Sequence, residues 1–261
     1  MPALARKRFG QHFLHDPAIV DRIVRAISPQ PGETIVEIGP GRGVLTRALL
    51  VAAGRLDAVE IDRDLAARLV GDFPPGSGFE LHVGDALAFD FAALAAARGT
   101  RLRIVGNLPY NISTPLLFHL LEAPTALIDM HVMLQREVIE RMAAAPGSKA
   151  YGRLTVMLAP WARIEKLFDV GPGAFQPPPR VWSSVARISL RAQPAFEVPA
   201  GFAGLVASAF SQRRKTVRNA LKSLLSAAEI EAAGVDPGAR PEVIPPERFA
   251  ALARAAARRH A

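Results

Sequence analysis

The residues of this chain best suited to chemistry sit just past the ends of short apolar runs, and the most telling is Asn107-Leu108-Pro109-Tyr110. An aromatic amine is a poor nucleophile because its lone pair is delocalised into the ring. Accepting its two hydrogens on the Asn107 side-chain oxygen and the Leu108 carbonyl turns that lone pair toward an incoming methyl group. Pro109 fixes the backbone so that the two acceptors converge, and Tyr110 offers a face on which a base stacks. This is chemistry by positioning. A proline turn beside a buried tyrosine is the plainer reading of the same four residues.

Three further positions give that tetrapeptide a context. Gly39-Pro40-Gly41-Arg42-Gly43 lets the backbone approach a ligand closely, and the helix that follows offers unpaired amides. Its spacing is G-x-G-x-G and not G-x-G-x-x-G, so a dinucleotide site is not indicated, and a plain structural turn is the alternative. Glu60 ends the next strand about 20 residues after the first glycine, where an acid bonds both hydroxyls of a ribose. Asp85, in Gly84-Asp85-Ala86, either accepts an amine hydrogen from a purine in the same crevice or caps a helix. Glu37, inside the first strand of the series, either holds the turn or receives a cationic amine indirectly.

The elements that must position these residues alternate. Apolar runs of strand length at Thr34–Ile38, Leu56–Ile61, Phe79–Val83, Leu102–Gly106 and Ala126–Leu134 are separated by helical patterns. The helices read as Val44–Ala53, Leu65–Val70, Phe91–Ala97 and Thr114–Glu122, with Pro17–Ile27 before the series and Glu137–Ala144 after it. Such alternation predicts an α/β fold with a doubly wound, mostly parallel sheet whose ligand crevice lies beyond the carboxyl ends of the strands. Leu154–Ile164 reads as a further helix, and Val185–Leu190 as a strand closing the sheet. Between them Gln176-Pro177-Pro178-Pro179 is a loop, since three consecutive positions lack an amide donor. The expected division is a catalytic domain over residues 1–194 and a small all-helical domain over 195–261.

Composition narrows the partners. Among 261 residues, 32 Lys and Arg against 24 Asp and Glu give a net charge of +8, which points to a phosphate-rich partner such as nucleic acid. Arg213, Arg214, Lys215, Arg218 and Lys222, helped by Arg6, Lys7 and Arg8, are the candidate nucleic-acid contacts. Arg214, Arg218 and Lys222, spaced i, i+4 and i+8, would form a phosphate ridge on one helix face, or simply a solvated one. With no cysteine there is no disulfide and no thiolate-bound metal, and no metal is expected. The basic start of the chain lacks the apolar stretch of a secretory signal, and no run approaches the roughly 18 apolar residues of a membrane span, so a cytoplasmic location is expected.

With these residues in place, the chain resembles the Rossmann-like class I methyltransferases. More narrowly it resembles the ribosomal RNA small-subunit adenine N6,N6-dimethyltransferase family (KsgA type). The likeness is carried by Arg8-Phe9-Gly10-Gln11-His12-Phe13-Leu14, Glu37-Ile38-Gly39-Pro40-Gly41, Gly84-Asp85-Ala86 and Asn107-Leu108-Pro109-Tyr110-Asn111-Ile112-Ser113. Gln135-Arg136-Glu137-Val138, Phe175-Gln176-Pro177-Pro178-Pro179-Arg180-Val181 and Ser211-Gln212-Arg213-Arg214-Lys215-Thr216-Val217-Arg218-Asn219 continue it.

The resemblance implies S-adenosylmethionine as cofactor and dimethylation of two adjacent adenosines in the 3′-terminal hairpin loop of 16S rRNA, within the small ribosomal subunit or its precursor. It implies that Gln11, His12 and Leu14 close over the cofactor and that Gly39 and Gly41, beside Glu37, pass under its methionine part. Glu60 would take the ribose, Asp85 the adenine, and Asn107 would border both cofactor and target. His12 stands where the family commonly has Asn. Phe175 matches an aromatic of the proline-rich loop that either stacks on the base opposite Tyr110 or anchors the loop. Methyl transfer would be a direct in-line displacement. The rival readings are an enzyme acting on large-subunit rRNA, a non-catalytic assembly factor on the same scaffold, and a nicotinamide-dependent dehydrogenase.

Overall fold

The computed structural model describes residues 11–212 and 214–258, and in it the chain forms two compact units. The first takes the chain up to Ile139 together with Ile164–Leu190, and the second takes Glu140–Arg163 together with the chain from Arg191 onward.

The elements of the first unit begin with β1 (Phe13–Leu14) and α1 (Pro17–Ile27), followed by β2 (Thr34–Ile38) and α2 (Val44–Ala53). Then come β3 (Leu56–Glu60), α3 (Arg63–Asp72), β4 (Phe79–Val83), α4 (Phe91–Arg98), β5 (Leu102–Asn107), α5 (Ser113–Leu121), β6 (Leu127–Gln135) and α6 (Arg136–Met142). After α7 (Arg153–Leu158) follow β7 (Ala162–Val170), β8 (Phe175–Gln176) and β9 (Ser183–Leu190).

Local signals explain where these elements start and stop. Asp16 caps α1 by accepting the Ala18 and Ile19 amides, with Pro17 in the first turn, and α1 buries Val20, Ile23 and Ile27. Gly54 ends α2 in the left-handed conformation. Every residue of β2 and β3 is buried, as in strands covered on both faces.

The main sheet has seven strands in the order β4-β3-β2-β5-β6-β9-β7. Strands β2 to β6 are parallel to their neighbours, while β9 runs antiparallel to β6 with Gln135 opposite Ser183. The chain winds outward from β2 through β3 to β4, then returns to β5 on the other side of β2. The reversal opens a crevice at the carboxyl ends of β2 and β5, the place such sheets reserve for ligands. A separate two-stranded ribbon pairs β1 with β8, Phe13 opposite Gln176 and Leu14 opposite Phe175.

The second unit adds α8 (Phe202–Ala209), α9 (Val217–Ala220), α10 (Ala227–Ala232) and α11 (Pro246–Arg258) around a core that includes Phe202, Leu205, Val206 and Phe249. Tyr151 and Val156 belong to that core, and the Tyr151 hydroxyl donates to the Ile244 carbonyl at 2.7 Å. The division of the chain therefore differs from the expected cut after residue 194, since the stretch Glu140–Arg163 packs with the C-terminal helices.

Two other expectations need correction. The helix read over Leu154–Ile164 ends at Leu158, and β7 begins at Ala162 after Pro160. It is β7, and not the strand at Ser183–Leu190, that closes the sheet.

Candidate active site

A cleft with about 1180 Å³ of empty space, counted out to open solvent, lies at the carboxyl ends of β2 to β5. Of the expected site residues it brings together Gln11, His12, Leu14, Glu37, Gly39, Gly41, Glu60, Asp85, Asn107, Leu108, Pro109 and Tyr110.

Its floor is the turn after β2, where Gly39 and Gly41 adopt φ of 69° and 59°, conformations costly for any side chain with a Cβ. At Gly41 a Cβ would also stand 3.1 Å from the Phe13 ring, so this glycine seats β1 against the turn. Gly106, which the sequence did not single out, is required for another reason. A Cβ there would lie 2.6 Å from the Ile38 carbonyl, so only glycine lets β5 deliver Asn107 so close to β2.

Two buried acids face this turn. Glu60 accepts the Gly41 amide at 3.2 Å and the Asp62 amide at 2.9 Å, one on each oxygen. A carboxylate has about four acceptor positions, so two remain for hydroxyl donors. Burial raises the Glu60 pKa against the lowering effect of those amides. Glu37 accepts the Thr46 hydroxyl at 2.6 Å. Burial, opposed by that hydroxyl and reinforced by the nearby Glu60 charge, pushes its pKa up to about 7. Asp85 is exposed and bonds the Leu87 amide at 2.9 Å through one oxygen, in a turn and not at a helix start.

The geometry around Asn107 fixes which way its amide faces. Its nitrogen donates to the His12 carbonyl at 2.8 Å. A carbonyl only accepts, so the amide cannot be reversed, and the side-chain oxygen is left for the cleft. The Leu108 amide is held by the Met133 carbonyl at 3.2 Å, and among the described residues no donor meets the Leu108 carbonyl. Among the described residues, two acceptors on consecutive residues are thus unengaged. Beside them the Tyr110 hydroxyl and Ser183 Oγ are 2.7 Å apart, and burial pushes the phenol pKa up. His12 stacks on Tyr110 with centroids 5.7 Å apart and planes at 29°, and its Nδ1 donates to the Pro177 carbonyl at 2.8 Å. With Nδ1 carrying the proton, His12 ties the segment leading into β1 to the proline-rich loop.

Phe175 is not where a base-stacking residue must be. Its ring is 2% exposed, lies in the apolar core with Leu14, Val20 and Phe168, and does not line the cleft. Of the two readings offered by the sequence, the structure selects the loop anchor, because pairing of β8 with β1 turns Phe175 inward.

The cationic ridge also needs correction. α9 covers only Val217–Ala220, so Arg214 precedes it in a turn with φ of 79°, and Lys222 follows it in another turn. Arg214, Arg218 and Lys222 are exposed and Lys215 is half-buried, but they do not share one helix face. Arg213, Arg6, Lys7 and Arg8 lie outside the described residues. Sequence reasoning also missed Thr46 and Ser183, the partners of Glu37 and Tyr110. Ser183-Ser184 opening the strand, just after the proline-rich loop, is the available signal.

A doubly wound, mostly parallel sheet with its cleft at a glycine turn beyond the carboxyl ends of the strands is the class I, Rossmann-like methyltransferase architecture. The comparisons agree with it. A model of the family described as ribosomal RNA adenine dimethylase matches residues 3–258. The chain therefore belongs to the ribosomal RNA adenine dimethylase family, and is an S-adenosylmethionine-type methyltransferase in class.

Among curated relatives, "Ribosomal RNA small subunit methyltransferase A" of Nitrosococcus oceani is 56% identical over 252 residues, 96% of this chain and 95% of the relative. The protein of that name from Pseudomonas aeruginosa is 53% identical over 251 residues, 95% of this chain and 93% of the relative. Among solved structures, the 23S rRNA methyltransferase ErmE superposes with a TM-score of 0.72 at 27% identity, over 94% of this chain and 99% of that one. A dimethyladenosine transferase from Plasmodium falciparum does so with a TM-score of 0.77 at 24% identity, over 92% and 96%, which bears on the fold alone.

Proposed function

We propose that this protein transfers methyl groups from S-adenosylmethionine to the N6 amines of two adjacent adenosines in the 3′-terminal hairpin loop of 16S rRNA, giving N6,N6-dimethyladenosine. The observation that carries the reading is the acceptor pair, Asn107 Oδ1 and the Leu108 carbonyl, which no donor among the described residues meets, beside Tyr110 in the cleft. The large-subunit alternative is not favoured, since the relatives at 52–56% identity bear the small-subunit name while the large-subunit enzyme stands at 27%.

The residues present fit the cofactor. Glu60 keeps two acceptor positions for ribose hydroxyls, Gly39 leaves the floor bare for a close approach, and Asp85 keeps one carboxylate oxygen for an adenine amine. When bound, S-adenosylmethionine supplies an electrophilic methyl carbon on a positively charged sulfur. Asn107 Oδ1 and the Leu108 carbonyl accept the two N6 hydrogens of the target adenine, which withdraws its lone pair from the ring and aims it. Tyr110, fixed through Ser183, gives the base a face to lie on. Once the nitrogen has gained a carbon its proton is strongly acidic and leaves along the hydrogen bond to one of these two oxygens, so no stronger base is required. An adenine in a duplex cannot reach such a cleft, so the substrate is an unpaired or splayed-out loop base. Arg214, Lys215, Arg218 and Lys222 supply phosphate contacts from α9 and the turns on either side of it and not as a ridge, and Arg213, outside the described residues, is proposed to join them.

The test is to incubate the protein with methyl-labelled S-adenosylmethionine and either unmodified small-subunit particles or large-subunit RNA, then map the labelled nucleosides. Label in two adjacent 3′-hairpin adenosines is expected, and label confined to large-subunit RNA would overturn the reading. Reversing charge with Arg214→Glu and Arg218→Glu should weaken particle binding and flatten its salt dependence by about one unit of slope per lost contact, leaving cofactor affinity unchanged.

A further inference from the structure

Trp182 is a large aromatic residue that remains 49% exposed, and nothing in the chemistry described so far uses it. Its place is well defined. The ring lies over Gly171, with indole carbons 3.6 and 3.7 Å from where a Gly171 side chain would begin. The Arg136 guanidinium carbon stands 5.8 Å from the ring centre, within cation–π range, and the Arg136 amide donates to the Trp182 carbonyl at 2.9 Å. The indole is thus supported from the protein side and held at its backbone, while about half of its surface faces solvent. Its chain neighbour Ser183 meets Tyr110 in the cleft, so one peptide unit separates the residue that fixes the cleft's aromatic wall from this outward-facing ring.

The surroundings indicate what would cover it. Val181, adjoining it, is 43% exposed, and Arg180 is exposed with no hydrogen bond or ion pair among the described residues. A flat aromatic ring flanked by cations on a chain of net charge +8 matches the chemistry of single-stranded nucleic acid, which presents a base face and a phosphate at each step. An apolar protein partner would leave Arg180 without complementary charge.

We propose that Trp182 is the stacking platform for an unpaired nucleotide flanking the target adenosine, with Arg180 taking a phosphate of the same segment; this rests on the proposed function. Trp182 is a positioning residue. It holds the loop strand while the neighbouring base enters the cleft, and it touches neither the cofactor nor the reacting amine.

The experiment measures methylation of small-subunit particles reconstituted with 16S rRNA carrying an abasic site at each position flanking the target pair. With intact particles, Trp182→Ala should raise KM for the particle about tenfold, within the range of a lost base–aromatic stack, with kcat at saturation and cofactor Kd unchanged. Trp182→Phe should recover most of that loss. One flanking abasic site should raise the wild-type KM by a similar factor and add nothing to Trp182→Ala, since ring and base are removed from the same contact. Arg180→Ala should lower the salt slope of particle binding by about one. The inference is overturned if Trp182→Ala keeps the wild-type KM, if every abasic site penalises wild type and Trp182→Ala equally, or if the variant loses cofactor affinity in parallel. Failure of the wild-type enzyme to label small-subunit RNA would instead overturn the proposed function.

Discussion

The two ends of the parallel strands carry the same kinds of residue and treat them in opposite ways. At the carboxyl ends, the buried acids Glu37 and Glu60 are met by a hydroxyl and by backbone amides, and burial raises the pKa of both. At the amino ends, acids from buried Asp57 to exposed Glu80 are met by arginine. Arg103 spans Glu33 at 2.7 Å and Asp129 at 3.0 Å and also donates to the Ile27 carbonyl at 2.9 Å. Arg98 meets Asp57 at 2.5 Å and Glu80 at 2.6 Å, while His82 adds a third contact to Asp57 at 2.8 Å. Burial would raise the Asp129 pKa, but His131 and Arg103 outweigh it and bring it down to about 2; Asp57 is lowered for the same kind of reason by His82 and Arg98. One end neutralises its charges internally and locks the strands together. The other leaves acceptor capacity unspent, as a site must if a ligand is to complete it.

Breaking the locked end should cost the most in stability and nothing in chemistry. Arg103→Met leaves the half-buried Glu33 without its cation and Asp129 with His131 alone, and unfolding in urea should show a loss approaching that of a broken buried ion pair, about 3–5 kcal/mol. The turnover of molecules that remain folded should match wild type. A loss under about 1 kcal/mol would mean that the ion network does not hold this end.

At the open end the balance reverses. Asn107→Ala removes one of two acceptors that matter in the transition state, so kcat should fall roughly 10²- to 10³-fold, the scale of a lost oriented hydrogen bond. Its melting temperature should stay within about 2 °C of wild type, and cofactor affinity should drop only in part. Glu60→Ala should instead weaken cofactor binding about tenfold or more in a calorimetric titration, or roughly 1.4 kcal/mol. Equal loss of cofactor affinity in both variants would remove the distinction between an acid that holds the cofactor and an amide that aims the amine.

The open end was far more legible in the sequence than the locked one. Its residues lie in local motifs at strand ends, where a glycine turn or an Asn-x-Pro-Tyr stretch declares its position within a few residues. The bounds of β2 and α2 follow directly from their patterns. The Arg103, Glu33 and Asp129 cluster joins positions up to 96 residues apart, and nothing local marks a charged residue as buried. β7 does not read as a strand from its pattern because Lys166 breaks its apolar register, a charge of the kind edge strands often carry. Even so, Ala162, Ile164, Phe168 and Val170 keep the two-residue period, and Pro160 already barred a continuous helix. β1 and β8, two residues each, are too short for any period to register, so the burial of Phe175 was visible only in three dimensions.

The smallest effect is also the one that separates the two ends by sign. Glu37 has a folded pKa of about 7, above the roughly 4.3 of an unfolded glutamate, so the unfolded chain gives up this proton first. Wild type should therefore lose stability as pH rises from about 4 to about 7, a penalty that Glu37→Gln escapes while still accepting from Thr46. The melting temperature of Glu37→Gln should match wild type near pH 4 and exceed it by a few degrees at pH 8. Asp129 works the other way. Its folded pKa of about 2 lies below the unfolded value of about 3.9, so its stabilisation is full above pH 4 and lost as pH falls toward 2. Asp129→Asn should thus be less stable than wild type at pH 8, with the gap closing in acid. If both variants shift the melting temperature in the same direction at pH 8, the acids at the two ends are not held in opposite ways, and the raised pKa assigned to the open end is wrong.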